Sequence, residues 1–305
     1  MIKIVPLAEQ DLAKVREMDP DLFLMLTEDG DVLKDYAHSA YSGERFLGAA
    51  FLYQGPSFRF IGQRKLPVYH LHMMISTVPG DEMEYAAINR LMDQLISDVE
   101  EIRSLYPGNK IVLRAWVQEE EKAALEFFFE KGFSIARVMP EFTYDLSEEV
   151  EEPVFPEGMK PEILSMEDPA SFEAFVRSSE ESFFVANSPE ALHFQCTSAN
   201  GKIYVLRDPD GRVVSGVVRW DIDQGAAATE NIFTVPDRRN EGLAGALLNY
   251  VLLELQKERK EWAVLSVFGE DANALQFYLK RGFVLSDSRY ELWYDTEKRD
   301  FMPLY

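Results

Sequence analysis

The chain has 305 residues, and 31 Lys and Arg against 53 Asp and Glu give a formal net charge of −22. With 47% hydrophobic and 28% charged residues it has the proportions of an ordinary globular protein, which excludes collagen-like, disordered and disulfide-scaffold chains. The acidic balance excludes a nucleic-acid partner, because phosphate contacts need a basic face that this sequence does not supply.

A short strand is predicted over Ile2 to Leu7, and a polar helix after it. The apolar run at Met1 to Pro6 is too short for a signal peptide, and acidic residues follow at Glu9 and Asp11. No stretch approaches about 18 apolar residues, so neither a membrane span nor a membrane partner is expected. His70 and His72 share one strand face at a spacing two metal ligands can use, but no carboxylate or Cys partner is evident, and no metal is expected. His38 and His193 are isolated. Further along, Ile88, Leu91, Met92, Leu95, Ile96, Val99 and Ile102 fall on one face of a long amphipathic helix. An extended apolar run follows at Ile111 to Val117. Ala124 to Lys131 then reads as a helix stopped by Gly132, with a strand starting at Phe133.

Between Leu146 and Met159 the composition changes to glutamates and prolines, which cannot continue a packed helix or a central strand. The chain is therefore divided into a domain at 1–147, an acidic, Pro-containing linker at 148–158 and a domain at 159–305. The second domain opens alike, with a strand at Pro161 to Leu164 and a polar helix. Ile203 to Arg207 and Arg212 to Trp220 are strands joined by the hairpin signal Asp208-Pro-Asp-Gly211. The single cysteine, Cys196, has no partner for an internal disulfide; it is read as a packed thiol, and a reduced cytoplasmic compartment is expected.

The remaining elements repeat those of the first half. Leu243, Leu247, Leu248, Val251, Leu252 and Leu255 share one helix face, and Trp262 to Phe268 is an extended apolar run. Ala274-Leu-Gln-Phe-Tyr-Leu-Lys-Arg-Gly-Phe283 matches Ala124-Leu-Glu-Phe-Phe-Phe-Glu-Lys-Gly-Phe133 at an offset of 150 residues throughout. Each half is thus expected to be a mixed α/β domain.

A strand from Ala227 to Val235 leads through Pro236 and Asp237 into Arg239-x-x-Gly242-x-Ala244-Gly245, which opens a helix. Unpaired N–H groups and the helix dipole favour an anion there. Gly242, Ala244 and Gly245 have no bulk to hold a pyrophosphate away, and Arg238 and Arg239 add charge. A tight strand-to-helix turn without a ligand accounts for the small residues equally well.

The run Arg239-x-x-Gly242-x-Ala244 after a strand and Pro, followed by Ala274-x-x-Phe277-Tyr278-x-x-x-Gly282-Phe283, resembles the GNAT superfamily of acyl-CoA-dependent N-acyltransferases. The resemblance covers residues 159–295, and the first half shares its second segment. It implies an α/β fold of two tandem GNAT-like domains, each a mixed, mostly antiparallel sheet flanked by helices. It implies acetyl-CoA, or another acyl-CoA, as donor, CoA as product and an amine as acceptor, either a small molecule or a peptide. It places pantetheine on the backbone of Ile232, Phe233 and Thr234. It places the pyrophosphate on the turn from Arg239 through Asn240, Glu241, Gly242, Leu243 and Ala244 to Gly245. Tyr278 falls at the position of the proton donor to the leaving thiolate, although an aromatic in the helix–sheet core fits the same spacing. Asp271 stands where the family often has a cofactor-binding Asn, and Asn273 is the nearby substitute. Glu241 is a second departure, inside the phosphate turn.

Glu230, on the thioester strand, is the first candidate for the base that deprotonates the amine; the alternative is an ordinary polar strand residue. Glu180, Glu181, Phe183 and Phe184 are candidates to line the acceptor pocket, and the net charge favours a cationic acceptor. In the first half, Glu82 stands at the Arg239 position, Tyr85 at the Gly242 position and Phe128 at the Tyr278 position. A carboxylate repels a pyrophosphate and a tyrosine fills its space, so that half is expected to lack a cofactor site. The reading that results is an N-acetyltransferase acting through its second half. The alternative is a non-catalytic acyl-CoA-binding or interaction module.

Overall fold

A computed structural model describes residues 1–28, 31–54, 59–60, 68–165, 168–183, 185–186, 192–193, 196–197 and 199–295. The chain divides into two compact units. Unit 1 holds residues 1–57, 66–136 and 290–305, and unit 2 holds residues 58–65 and 137–289.

Unit 1 starts with β1 (Ile2–Pro6), α1 (Leu12–Met18) and α2 (Pro20–Glu28). β2 (Val32–Ser42) pairs antiparallel with β1, and β3 (Arg45–Gln54) with β2. The two-residue β4 (Arg59–Phe60) belongs to unit 2, and β5 (Val68–Thr77) returns antiparallel to β3. The long α3 (Glu84–Leu105) buries Leu91, Met92, Leu95, Val99 and Ile102, most of its predicted apolar face. It carries the chain to β6 (Lys110–Gln118), which runs parallel to β5, and then to α4 (Lys122–Glu130). That order, a helical crossover between parallel strands beside an antiparallel meander, is what the apolar spacing predicts.

β7 (Ser134–Asp145) leads into unit 2, where β8 (Pro161–Leu164), α5 (Pro169–Ser182) and β9 (Val185–Ala186) follow. β10 (Lys202–Arg207), β11 (Val213–Asp221) and β12 (Ala226–Thr234) form the second meander. α6 (Leu243–Lys257) crosses to β13 (Trp262–Ser266), and α7 (Ala272–Leu279) precedes β14 (Val284–Tyr294). The strand order in this unit is β8-β10-β11-β12-β13-β7. α5 and α6 cover opposite faces. A Cβ on Gly216 would strike the Phe175 ring of α5, whereas Tyr204, paired with the neighbouring Val217, meets Tyr250 of α6.

The compact units differ from the division expected at 147 and 159, because β7 and β14 each change unit partway along. The boundaries fall between Ala136 and Arg137 and between Arg289 and Tyr290. Both strands are about twice the usual length of 5–6 residues, so each outreaches the unit in which it starts. The exchange keeps the 150-residue offset. Tyr294 lies against Gly132 and Phe133 in unit 1, and Tyr144 lies against Gly282 and Phe283 in unit 2. Gly132 and Gly282 have φ of +87° and +85°, and the following Phe N–H bonds back to Phe128 O and Tyr278 O, which closes each helix.

The linker has no helix or strand, as its prolines require, yet it is packed into unit 2. Val150 is buried, as is the flanking Met159, and Gln256 Nε2 donates at 2.9 Å to Glu148 O and to the flanking Leu146 O.

Candidate active site

β12 and β13 part company early. They pair through Ala226↔Trp262, Ala227↔Ala263 and Ala228↔Val264, and β12 then runs on to Thr234. On the β11 side, Glu230 faces Val218 while Phe233 faces Gly216, so β12 carries one extra residue there. Asn231 takes it up at φ +51°, a bulge that bends the strand. Beyond it, Val235 N–H donates to Val214 O at 3.0 Å and Phe233 O accepts from Ser215 Oγ at 2.6 Å, both toward β11. By alternation, the backbone of Ile232 and Thr234 turns toward the edge that β13 has left. Thr234 O already accepts from Arg239 Nε at 3.3 Å. Phe233 departs from the expectation. Its carbonyl is engaged by β11, and its ring is buried against Phe175 and Phe183, with centroids 5.5 and 5.9 Å away.

The turn after β12 passes through Asn240 at φ +68° and Gly242 at φ +79° before α6 begins. A left-handed residue just ahead of the helix favours Gly, and nothing lies within 4 Å of where a Gly242 Cβ would be. The first bond of the helix is donated by Ala246 to Gly242 O, so the N–H groups of Leu243, Ala244 and Gly245 have no helical partner. The carboxylates around this turn are held by arginines. Glu241 makes two contacts of 2.7 Å with Arg238, and Asp237 lies 2.8 Å from Arg212. Glu241 therefore faces Arg238 rather than the turn's amides. Two of the expected contact residues also have partners within the chain. Gly245 is buried, and a Cβ on it would meet the Arg281 guanidinium, so its missing side chain makes room for that group while its N–H stays without a helical partner. Arg239 also spends its guanidinium on the chain itself, donating to Ser182 O at 2.6 Å as well as to Thr234 O.

Glu230 is half-buried at the point where the strands separate, and its Oε1 accepts from Ser266 N–H at 3.0 Å. Burial pushes its carboxyl up to about 7, against the opposing pull of that N–H and of Arg289, while Glu141 pushes the same way as burial. Tyr278 is buried among Phe142, Phe277 and Phe283, with ring centroids 6.5, 5.1 and 5.8 Å away. Burial raises its phenol above the ordinary range, and the charges of Glu230 and Asp271 raise it further, so it keeps its proton at neutral pH. Asp271 caps α7, its Oδ1 accepting from Ala274 N–H at 2.9 Å, and Asn273 is exposed on the same first turn. Sequence reasoning missed Glu141, Ser266 and Arg289. They stand on three different strands, and no local spacing connects them.

Of the acceptor candidates, Phe183 reaches β12 through Phe233. Glu181 is exposed and paired with Arg212 at 3.0 Å, Glu180 is half-buried near the end of α5, and Phe184 lies outside the described residues. His70 is buried beside Trp293, and burial together with the Arg114 charge pulls His72 down to about 4. His38 bonds Asp98 at 2.6 Å. His193 packs edge-on against Phe172. Burial pushes the Cys196 thiol up to about 12, which leaves it unreactive. Among the described residues no group of three His, Cys, Asp or Glu is placed to hold a metal ion, and no helix is long and apolar enough to cross a membrane.

The corresponding turn of unit 1 is closed by its own carboxylates. Glu84 Oε2 accepts from Gly80 N–H at 3.0 Å, and Asp81 Oδ1 from Met83 N–H at 2.8 Å. Tyr85 does not fill the space, as the sequence suggested; it is exposed and lies on Phe127. Glu82 is exposed near Arg45.

Residues 199–285 match the family model described as an acetyltransferase (GNAT) domain. Solved structures similar over the whole length include a tandem GNAT protein from the clavulanic acid biosynthesis pathway. Its TM-score is 0.63 at 12% identity, over 98% of this chain and 100% of that one. A GCN5-related N-acetyltransferase from Sphaerobacter thermophilus gives a TM-score of 0.59 at 14% identity, over 96% and 95% of the two chains. A GCN5-related N-acetyltransferase from Anabaena variabilis gives 0.62 at 10% identity, over 96% of this chain and 72% of that one. No curated protein matches the sequence. The chain has the tandem GNAT fold, and within it residues 199–285 match the acetyltransferase (GNAT) domain model.

Proposed function

We propose that this protein is an acetyl-CoA-dependent N-acetyltransferase and that unit 2 carries the reaction. The observation that supports this best is the parting of β12 from β13 with Glu230 held at the fork, directly ahead of an open turn at 240–244. In this reading the pantetheine lies along the backbone of Ile232 and Thr234. The pyrophosphate sits at the amides of Asn240 to Ala244, where the helix dipole favours an anion.

The acceptor is an amine, and the acidic chain favours one with a cationic body. It arrives as ammonium and loses a proton to a Glu230 oxygen. Its lone pair attacks the thioester carbon, the C–S bond breaks, the CoA thiolate takes the Tyr278 proton, and the proton that the nitrogen sheds on becoming an amide returns the phenol to its neutral form. A carboxyl near 7 is matched to taking a proton at neutral pH.

The test is CoA thiol release from acetyl-CoA against a panel of small amines, aminoglycosides, polyamines and peptide N-termini, with longer acyl-CoAs in parallel. Release with at least one amine is expected. Binding of acetyl-CoA without release across the panel would instead support a non-catalytic acyl-CoA-binding module.

A further inference from the structure

Segments far apart in sequence meet around Ser266, at the end of β13. Its N–H donates to Glu230 Oε1 on β12 at 3.0 Å, and its Oγ accepts from Arg289 Nη2 on β14 at 2.6 Å. The same guanidinium lies 3.7 Å from Glu141 Oε2 on β7. Ser266 thus fixes both partners, one through its main chain and the other through its side chain. It also holds the guanidinium nearer to itself than to the competing carboxylate. Two other elements complete the surroundings of Glu230. α7 brings Tyr278, whose phenol feels the Glu230 charge, and β11 sets the apolar Val218 opposite.

We propose that Arg289, anchored through Ser266, is a positioning residue that keeps Glu230 in its proton-accepting form, and that Glu141 limits how far it does so. The inference rests on the reading of Glu230 as the base. A carboxylate removed from water loses its charged form unless a cation is kept close. Here the cation is fixed by a neutral hydroxyl, which does not cancel its charge, and Glu141 is the group that does so in part. The directions agree, since Arg289 opposes the effect of burial on Glu230 and Glu141 adds to it.

The experiment is a carbon NMR titration of the full chain labelled at the glutamate carboxyls, with the Glu230 signal assigned by its loss in Glu230→Gln. Arg289→Gln should raise the Glu230 midpoint by about one pH unit, and Glu141→Gln should lower it by less. Ser266→Ala, which keeps the N–H but frees the guanidinium, should move it in the same direction as Arg289→Gln and by a smaller step. Arg289→Lys should restore most of the wild-type midpoint. Midpoints that stay fixed, or that move the same way in Arg289→Gln and Glu141→Gln, overturn the proposal. If Arg289→Gln does not fold, the Ser266→Ala and Glu141→Gln midpoints decide it by the same opposite signs. Thiol release measured across pH separates this from the functional reading. An acidic limb that follows the midpoints supports both. A limb that stays put while the midpoints move overturns Glu230 as the base and leaves the effect of Arg289 on its charge standing.

Discussion

The turns after β5 and β12 hold the same place in the repeated order, and both carry carboxylates. They differ in what those carboxylates hold. In unit 1, Glu84 and Asp81 accept from the N–H groups of Gly80 and Met83, so two of the turn's own donors are already taken by the chain. In unit 2, Glu241 and Asp237 are bound to Arg238 and Arg212 rather than to the amides ahead of α6. The presence of acid in the turn therefore decides little. An arginine within reach does not decide it alone, since Arg45 lies 3.2 Å from the same Asp81 Oδ1 that accepts from Met83 N–H.

The largest expected effect comes from separating the halves where the composition suggests. A chain lacking residues 1–158 loses β7, and with it the pairing of β13 from Trp262↔Asp145 to Ser266↔Glu141 and the buried Phe142, Tyr144 and Leu146. Deleting one large core side chain costs about 3–5 kcal/mol, and a domain holds about 5–15 kcal/mol in all. Such a chain should show no cooperative thermal transition by circular dichroism. A sharp transition would mean that unit 2 does not need the strand.

That expectation marks where the sequence stops being legible. The elements of both halves were readable because helix and strand periodicities are local, and the offset of 150 residues fixed their order. The exchange of β7 and β14 was not readable. Which unit a long strand ends in depends on pairing between residues more than a hundred positions apart, and Phe142 and Leu292 look alike in sequence. Among the candidate site residues, Gly242 and Tyr278 stood in motifs and Glu230 was reached only by its place on the strand, whereas Ser266 and Arg289 come near Glu230 through the fold alone. Gly245 was legible as a small residue but not as the seat of Arg281.

The next effects test the chemistry. Glu230→Gln should lower turnover by roughly 10²–10⁴, the usual range for a positioned base, in a thiol-release assay at saturating acyl-CoA. It should also change stability with pH. Glu230 titrates near 7 in the fold against an ordinary 4.5, so its protonated form stabilises the protein below 4.5, and that contribution is lost as pH rises through 7. At pH 8 the Gln variant should be the more stable by on the order of 1–3 kcal/mol, with the gap closing toward pH 4.5 in urea titrations. A gap that persists at low pH would have another cause. Tyr278→Phe should cost about 10² in turnover with acetyl-CoA affinity unchanged. The reciprocal Phe128→Tyr in unit 1 should create no activity, because the turn there stays closed.

Binding comes next in size. Acetyl-CoA at about a hundredfold excess over its Kd contributes about 2.7 kcal/mol, a melting shift on the order of 5–10 °C for a unit near 150 residues. Gly242→Asp should remove that shift, since it places a charge beside the amides and forces a side chain onto a left-handed residue. Glu241→Gln should leave it almost intact, because the carboxylate it removes is already paired at the surface, where such pairs are worth about 0–1 kcal/mol. Loss of the shift in Glu241→Gln but not in Gly242→Asp would place the nucleotide elsewhere.

The smallest effect lies in the turn of unit 1. Glu84→Gln keeps the length of the side chain and an acceptor oxygen but removes the charge that faces Gly80 N–H and the positive end of α3. Charge-assisted bonds of this kind are roughly twice as strong as neutral ones, and an acidic residue in a first turn adds about 0.3–1 kcal/mol. The variant should therefore lose about 1 kcal/mol, a few degrees in melting temperature at most. It should gain no stabilisation from acetyl-CoA, because Asp81 Oδ1 still accepts from Met83 N–H and keeps its charge beside the turn. If Glu84→Gln alone gave a second acetyl-CoA equivalent by calorimetric titration, unit 1 would be a site masked by one side chain. If the double variant with Asp81→Asn also gave none, the closure would reside in the path of the backbone rather than in its carboxylates.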